Sequence, residues 1–123
     1  MTETQESINQ WGNETFGYKP WTSAPVRLKH MIAEVGELAE AVANFQVANE
    51  RYDGDGSEPE RQECAEEIGD VAILLMSLAD ALDLQVTDCV DKKMAINRAR
   101  KWVRLANGGV VREEKTVLAE ASK

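Results

Sequence analysis

Apolar residues between positions 26 and 49 fall at Leu28, Ile32, Val35, Ala39, Val42 and Phe45. Steps of three and four place all six along one side of a helix, and no strand can reproduce that spacing. A second segment, 59–82, contains Val71-Ala72-Ile73-Leu74-Leu75-Met76, which is apolar around the whole helix circumference and predicts burial on every side. In a chain of 123 residues, a helix wrapped that completely needs cover from a second subunit.

Two further helices are expected. The first covers 2–16, with Ile8, Trp11, Thr15 and Phe16 as its apolar stripe. The last covers 87–107, with Thr87 as N-cap and Gly108-Gly109 as its stop. Gly17, Pro20 and Pro25 break the chain after the first helix, and Gly54, Gly56 and Pro59 break it after the second. No run alternates apolar with polar residues, so the tail is the one place where a short sheet is expected. The resulting fold class is all-α, a four-helix bundle completed by oligomerisation. It forms a single domain, with 1–25 an N-terminal helix and loop, 26–107 the core helices and 108–123 a tail.

A formal charge of -8 argues against a partner that is a nucleic acid polymer, because such binding draws on Lys and Arg to release counterions. It leaves room for a small phosphorylated ligand held through a cation. Cys64 and Cys89 lack metal-site spacing and read as small core thiols in a reducing compartment. The first residues carry no secretory pattern, and no apolar run is long enough to span a membrane, so a cytoplasmic location is expected.

One pattern is written twice. Glu34-Val35-Gly36-Glu37 returns 33 residues later as Glu67-Ile68-Gly69-Asp70. Residues three apart on a helix leave the same face, so each copy presents two carboxylates together. Four carboxylates gathered without a cation repel one another and are costly to strip of water. Oxygen-only ligation suits Mg2+ or Mn2+ and disfavours zinc. Glycine inside a helix costs roughly 1 kcal/mol against alanine; Gly36 and Gly69 are expected to repay it by letting the two helices approach closely. Two other acidic arrangements fail. The loop from Asp53 has Glu58 and Cys64 where a calcium loop needs Gly and Glu, and a di-iron bundle needs two histidines where His30 stands alone.

Lys93, Asn97 and Arg100 share one face of the last expected helix, a candidate strip for phosphate oxygens. Taken alone it reads equally well as a solvated helix end. Trp11, Trp21 and Ile8 offer stacking surface, and His30 stands one turn before Glu34.

The paired acidic motifs with Lys93, Asn97 and Arg100 resemble the MazG-like all-α nucleoside triphosphate pyrophosphohydrolases across roughly residues 28–102. Trp11-Gly12-Asn13-Glu14-Thr15-Phe16-Gly17 and the placing of His30 are similar to the short phage-type, MazZ-like branch, which acts on purine deoxynucleotides. The resemblance implies that Glu34, Glu37, Glu67 and Asp70 bind Mg2+, with Mn2+ as a substitute, and carry out catalysis. It implies substrate contacts from Lys93, Asn97, Arg100, His30, Trp11 and Ile8. Release of pyrophosphate from a (deoxy)nucleoside triphosphate, dGTP, GTP or dATP, by a homo-oligomer, dimer or tetramer, follows in the same way. Ala33 departs from the family, many members of which carry a further Glu there; Glu63 and Glu66 are the candidates to replace it. The alternative reading is a non-catalytic helical nucleotide-binding or assembly protein.

Overall fold

The computed structural model describes residues 2–17, 23–51 and 57–113. The chain falls into two compact units, Met1–Val86 and Thr87–Lys123. The first is built from α1 (Gln5–Phe16), α2 (Ala24–Arg51) and α3 (Glu58–Ala81).

α1 starts at Thr4, whose hydroxyl accepts from the Ser7 amide at 3.0 Å while the Thr4 amide donates to the Ser7 hydroxyl at 2.8 Å. This reciprocal cap satisfies two amides that the first turn leaves without partners. The helix ends at Gly17, where φ is +74°, a conformation that strains any residue bearing a Cβ. At α2, the Ser23 hydroxyl accepts from the Val26 amide at 3.3 Å and Pro25 occupies the first turn, as its missing amide hydrogen allows. Pro59 plays the same part in α3. The Gln5 side chain clasps the far end of α3, donating to the Leu84 carbonyl at 2.7 Å and accepting from the Val86 amide at 2.8 Å.

α2 packs mainly on α3, and α1 also lies on α3. Contacts from Arg27 to Ser77 and from Glu34 to Asp70 show the α2–α3 pair to be antiparallel. Fully buried on these two helices are Arg27, Ala41 and Ala48 of α2 and Ser77 and Ala79 of α3, with Leu38, Phe45, Leu74 and Leu78 half-buried beside them. Other large apolar side chains stay open, Ile32 at 61%, Val47 at 63% and Ile68 at 57% exposure. Ile73 and Leu75 are also exposed, so one chain does not by itself supply the all-round cover that its sequence calls for.

The second unit holds most of α4 (Val86–Ala99) and an antiparallel hairpin of β1 (Trp102–Arg104) and β2 (Val110–Arg112), with Val103 opposite Val111. The expected fourth helix to 107 is therefore too long by two turns. Gly108, expected to stop that helix, has φ +89° in the hairpin turn, and the short sheet begins before the tail. Cys89, expected in the core, is exposed, and both cysteines are free thiols.

Candidate functional site

Glu34 and Glu37 stand one turn apart on α2, and Glu67 and Asp70 one turn apart on the facing stretch of α3. Antiparallel packing brings the two turns together. One carboxylate oxygen each from Glu34, Glu67 and Asp70 lies within 4.8 Å of the other two. Glu34 and Glu67 are half-buried, and the Oε2 atom of each is shut off from water without a hydrogen-bond partner. A buried anionic oxygen in that condition is costly, and a native fold tolerates it where a partner arrives. Glu37 stands next to Glu34 on α2 and close enough to Asp70 and Glu40 to feel their charges. A proton shared with the Glu34 carboxylate, then the charge of Glu34, loss of water and the charges of Asp70 and Glu40, hold the Glu37 carboxyl above the ordinary carboxylate range.

All donors are oxygen, and their separation is no wider than two ligands across one hard divalent ion, about 4–5 Å for metal–oxygen distances of 2.0–2.6 Å. The residues fit Mg2+ or Mn2+, and the set lacks the nitrogen or sulfur that would favour zinc.

The glycines do not do what was expected of them. A Cβ built on Gly36 or Gly69 meets no atom within 4 Å, so neither is needed for α2 to approach α3.

The carboxylates separate two recesses. Glu34 and Asp70 open on one of about 280 Å³, together with Trp11 and Phe16 of α1, His30 of α2, and Ile73 and Leu74 of α3. Trp11 and Phe16 meet edge to face, 5.4 Å between centroids at 90°, which leaves ring faces open. Glu37 and Glu67 open on the other, about 350 Å³, with Glu40, Asn44 and Glu63. Glu63 thus stands in the acidic recess; Glu66 does not line it. Ile8 lines a small adjoining cavity that shares Trp11, Phe16, Ile73 and Leu74 with the recess that holds Glu34, and does not itself line that recess.

Phe16 was read from the sequence as part of the stripe of α1 and not as a site residue. It lies five positions after Trp11, outside the three-and-four rule, and only the folded helix end brings the rings together. Trp21 lies outside the described residues. Lys93, Asn97 and Arg100 belong to the second unit, where the Asn97 carbonyl accepts from the Trp102 indole at 3.1 Å and Arg100 lies just past the end of α4.

No family model matches the chain. The dATP/dGTP diphosphohydrolase of Cyanophage S-2L is 48% identical over 44 residues, 36% of this chain and 42% of the relative. Mouse (Mus musculus) dCTP pyrophosphatase 1 is 30% identical over 107 residues, 85% of this chain and 63% of the relative. The chain thus spans less than two thirds of either relative. Among solved structures, the Cyanophage S-2L MazG-like pyrophosphohydrolase bound to dGDP and three catalytic Mn2+ ions per active site superposes with a TM-score of 0.55 at 28% identity. That match covers 88% of this chain and 90% of the other. No described helix is long and apolar enough to cross a membrane.

Proposed function

We propose that this chain belongs to the phage-type MazG-like pyrophosphohydrolases, to which it is similar, and that it hydrolyses purine deoxynucleoside triphosphates to the monophosphate and pyrophosphate with Mg2+, Mn2+ being able to substitute. The observation that carries this reading is the convergence of Glu34, Glu67 and Asp70 to within 4.8 Å, with two buried and unpartnered oxygens, at the edge of an aromatic recess.

Glu34, Glu67 and Asp70 would hold the divalent metal, and Glu37, which lines the acidic recess with Glu67, would complete the set of four acids. The ion, when bound, supplies Lewis-acid polarisation of the phosphates and lowers the pKa of bound water. Trp11 and Phe16 take the purine against their rings, and His30 stands at the same recess to meet its edge or the sugar. Lys93, Asn97 and Arg100 enter this reading from the family resemblance alone, as groups that would offset charge on the outer phosphates. Water adds to the α-phosphorus in line with the bond to the bridging oxygen; that bond breaks, pyrophosphate leaves, and a carboxylate of the cluster receives the proton. A purine is favoured because the first relative's name specifies dATP and dGTP and the superposed structure holds dGDP.

The exposure of Ile32, Val47, Ile68 and Leu75 supports a homo-oligomer, dimer or tetramer, in which other copies cover these side chains. Two free thiols and a nucleotide substrate fit a cytoplasmic setting.

The test is a panel of the four deoxynucleoside triphosphates and GTP with Mg2+ or Mn2+, separating pyrophosphate from orthophosphate. The expected result is pyrophosphate from dGTP and dATP, lost in Asp70→Asn. Release of orthophosphate, or turnover undiminished in that variant, would overturn the reading.

A further inference from the structure

Arg27 is 4% exposed, the most buried charged residue among those described. Its Nη1 donates to the main-chain carbonyl of Ser77 at 2.6 Å and stands 3.7 Å from Oδ2 of Asp80. Asp80 is itself well exposed, so the short bond to a buried carbonyl is the stronger constraint.

The position of this contact along the two helices carries the inference. Arg27 precedes Glu34 by seven residues on α2, and Ser77 follows Asp70 by seven on α3. Seven residues make two turns, about 10 Å of helix. Because the helices are antiparallel, one register satisfies both pairs at once: where Arg27 reaches Ser77, Glu34 meets Asp70. A slip of one residue would move Asp70 by about 1.5 Å along the axis and turn it by about 100°. The other fully buried residues of the two helices are alanine and serine, and the half-buried Met31, Leu38, Phe45, Leu74 and Leu78 are apolar and pack without directional bonds, whereas the guanidinium–carbonyl bond is directional and marks one register. A buried guanidinium is costly unless its donors are met, and in some proteins such groups specify one arrangement rather than add stability.

We infer that Arg27 is a positioning residue: its bond to the Ser77 carbonyl sets the register of α2 on α3 and so the spacing of the carboxylates that hold the divalent ion. The inference rests on the ion-binding reading above.

Its test uses the full chain freed of metal, with Mn2+ as the probe, bound ion being read from loss of the free Mn2+ electron paramagnetic resonance signal. Arg27→Lys, Arg27→Met and Asp80→Asn are compared with the unsubstituted chain, each well below its thermal midpoint and with helicity checked by circular dichroism. Arg27→Lys and Arg27→Met are expected to keep their helices and to bind Mn2+ about 10–100-fold more weakly, the range typical of groups that orient metal ligands. Asp80→Asn, which leaves the carbonyl contact in place, is expected to bind within about twofold of the unsubstituted chain. Should Arg27→Met fail to fold, Arg27→Lys decides. Unchanged Mn2+ affinity in the helical variants would overturn the inference, as would loss of helicity in both, since Arg27 would then be a general support. Absence of Mn2+ binding by the unsubstituted chain would instead refute the ion site itself, and the inference with it.

Discussion

Glu67→Gln separates the burden of the acidic site from its use. The oxygens of Glu34 and Glu67 lie within 4.8 Å of each other, and both groups are half-buried. Two unit charges at that distance repel by about 0.9 kcal/mol at a dielectric constant of 80 and about 3.5 kcal/mol at 20. Glutamine removes this repulsion, and its amide can donate to the unpartnered Oε2 of Glu34. The metal-free variant should therefore be more stable by roughly 1–3 kcal/mol. For a chain of 123 residues that raises the melting midpoint by at least about 3 °C. With Mn2+ this advantage should shrink. Metal at 100 times its dissociation constant stabilises the unsubstituted chain by about 2.7 kcal/mol. A tenfold weaker site in the variant forfeits about 1.4 kcal/mol of that gain. Thermal melts by circular dichroism in chelator and across a Mn2+ titration measure both effects. A variant no more stable than the parent without metal, or one with the same Mn2+ shift, would refute the reasoning.

Trp11→Ala should raise the KM for dGTP by roughly 5–150-fold, corresponding to about 1–3 kcal/mol of stacking, with kcat little changed; an unchanged KM in steady-state kinetics would remove Trp11 from base binding. Gly36→Ala should stabilise the chain by about 1 kcal/mol in urea titrations, because the new methyl enters open space while the helix gains propensity. A loss of stability would mean that another chain packs on that face. Sedimentation at micromolar concentration should show a dimer or larger assembly, given how many large apolar side chains one copy leaves uncovered, and a monomer would contradict it.

Much of the fold and of the acidic cluster is legible in the residues themselves. The stripe from Leu28 to Phe45 and the apolar run at 71–76 sit inside α2 and α3, and the pairing of Glu34 with Asp70 follows once two consecutive helices are antiparallel. The end of α4 was misread because Lys101, Arg104 and Leu105 are acceptable helix formers, and only pairing with 110–112 decides that 102–104 extend. The packing role expected of Gly36 and Gly69 is not supported by their surroundings, since the apolar stripe does not tell whether the flank beside it meets a neighbour or open space. Arg27 was hidden for the same reason: a lone arginine on a helix usually reads as solvated, and its burial against Ser77 comes only from tertiary contact.

The central claim is that Glu34, Glu67 and Asp70 share a divalent ion. Diffraction from crystals grown with Mn2+, recorded at the manganese absorption edge, tests it most directly. The account predicts an anomalous peak within about 2–2.5 Å of an oxygen from each of the three residues, displaced when Asp70 is replaced by Asn. Anomalous density elsewhere on the protein and none between these carboxylates would contradict it.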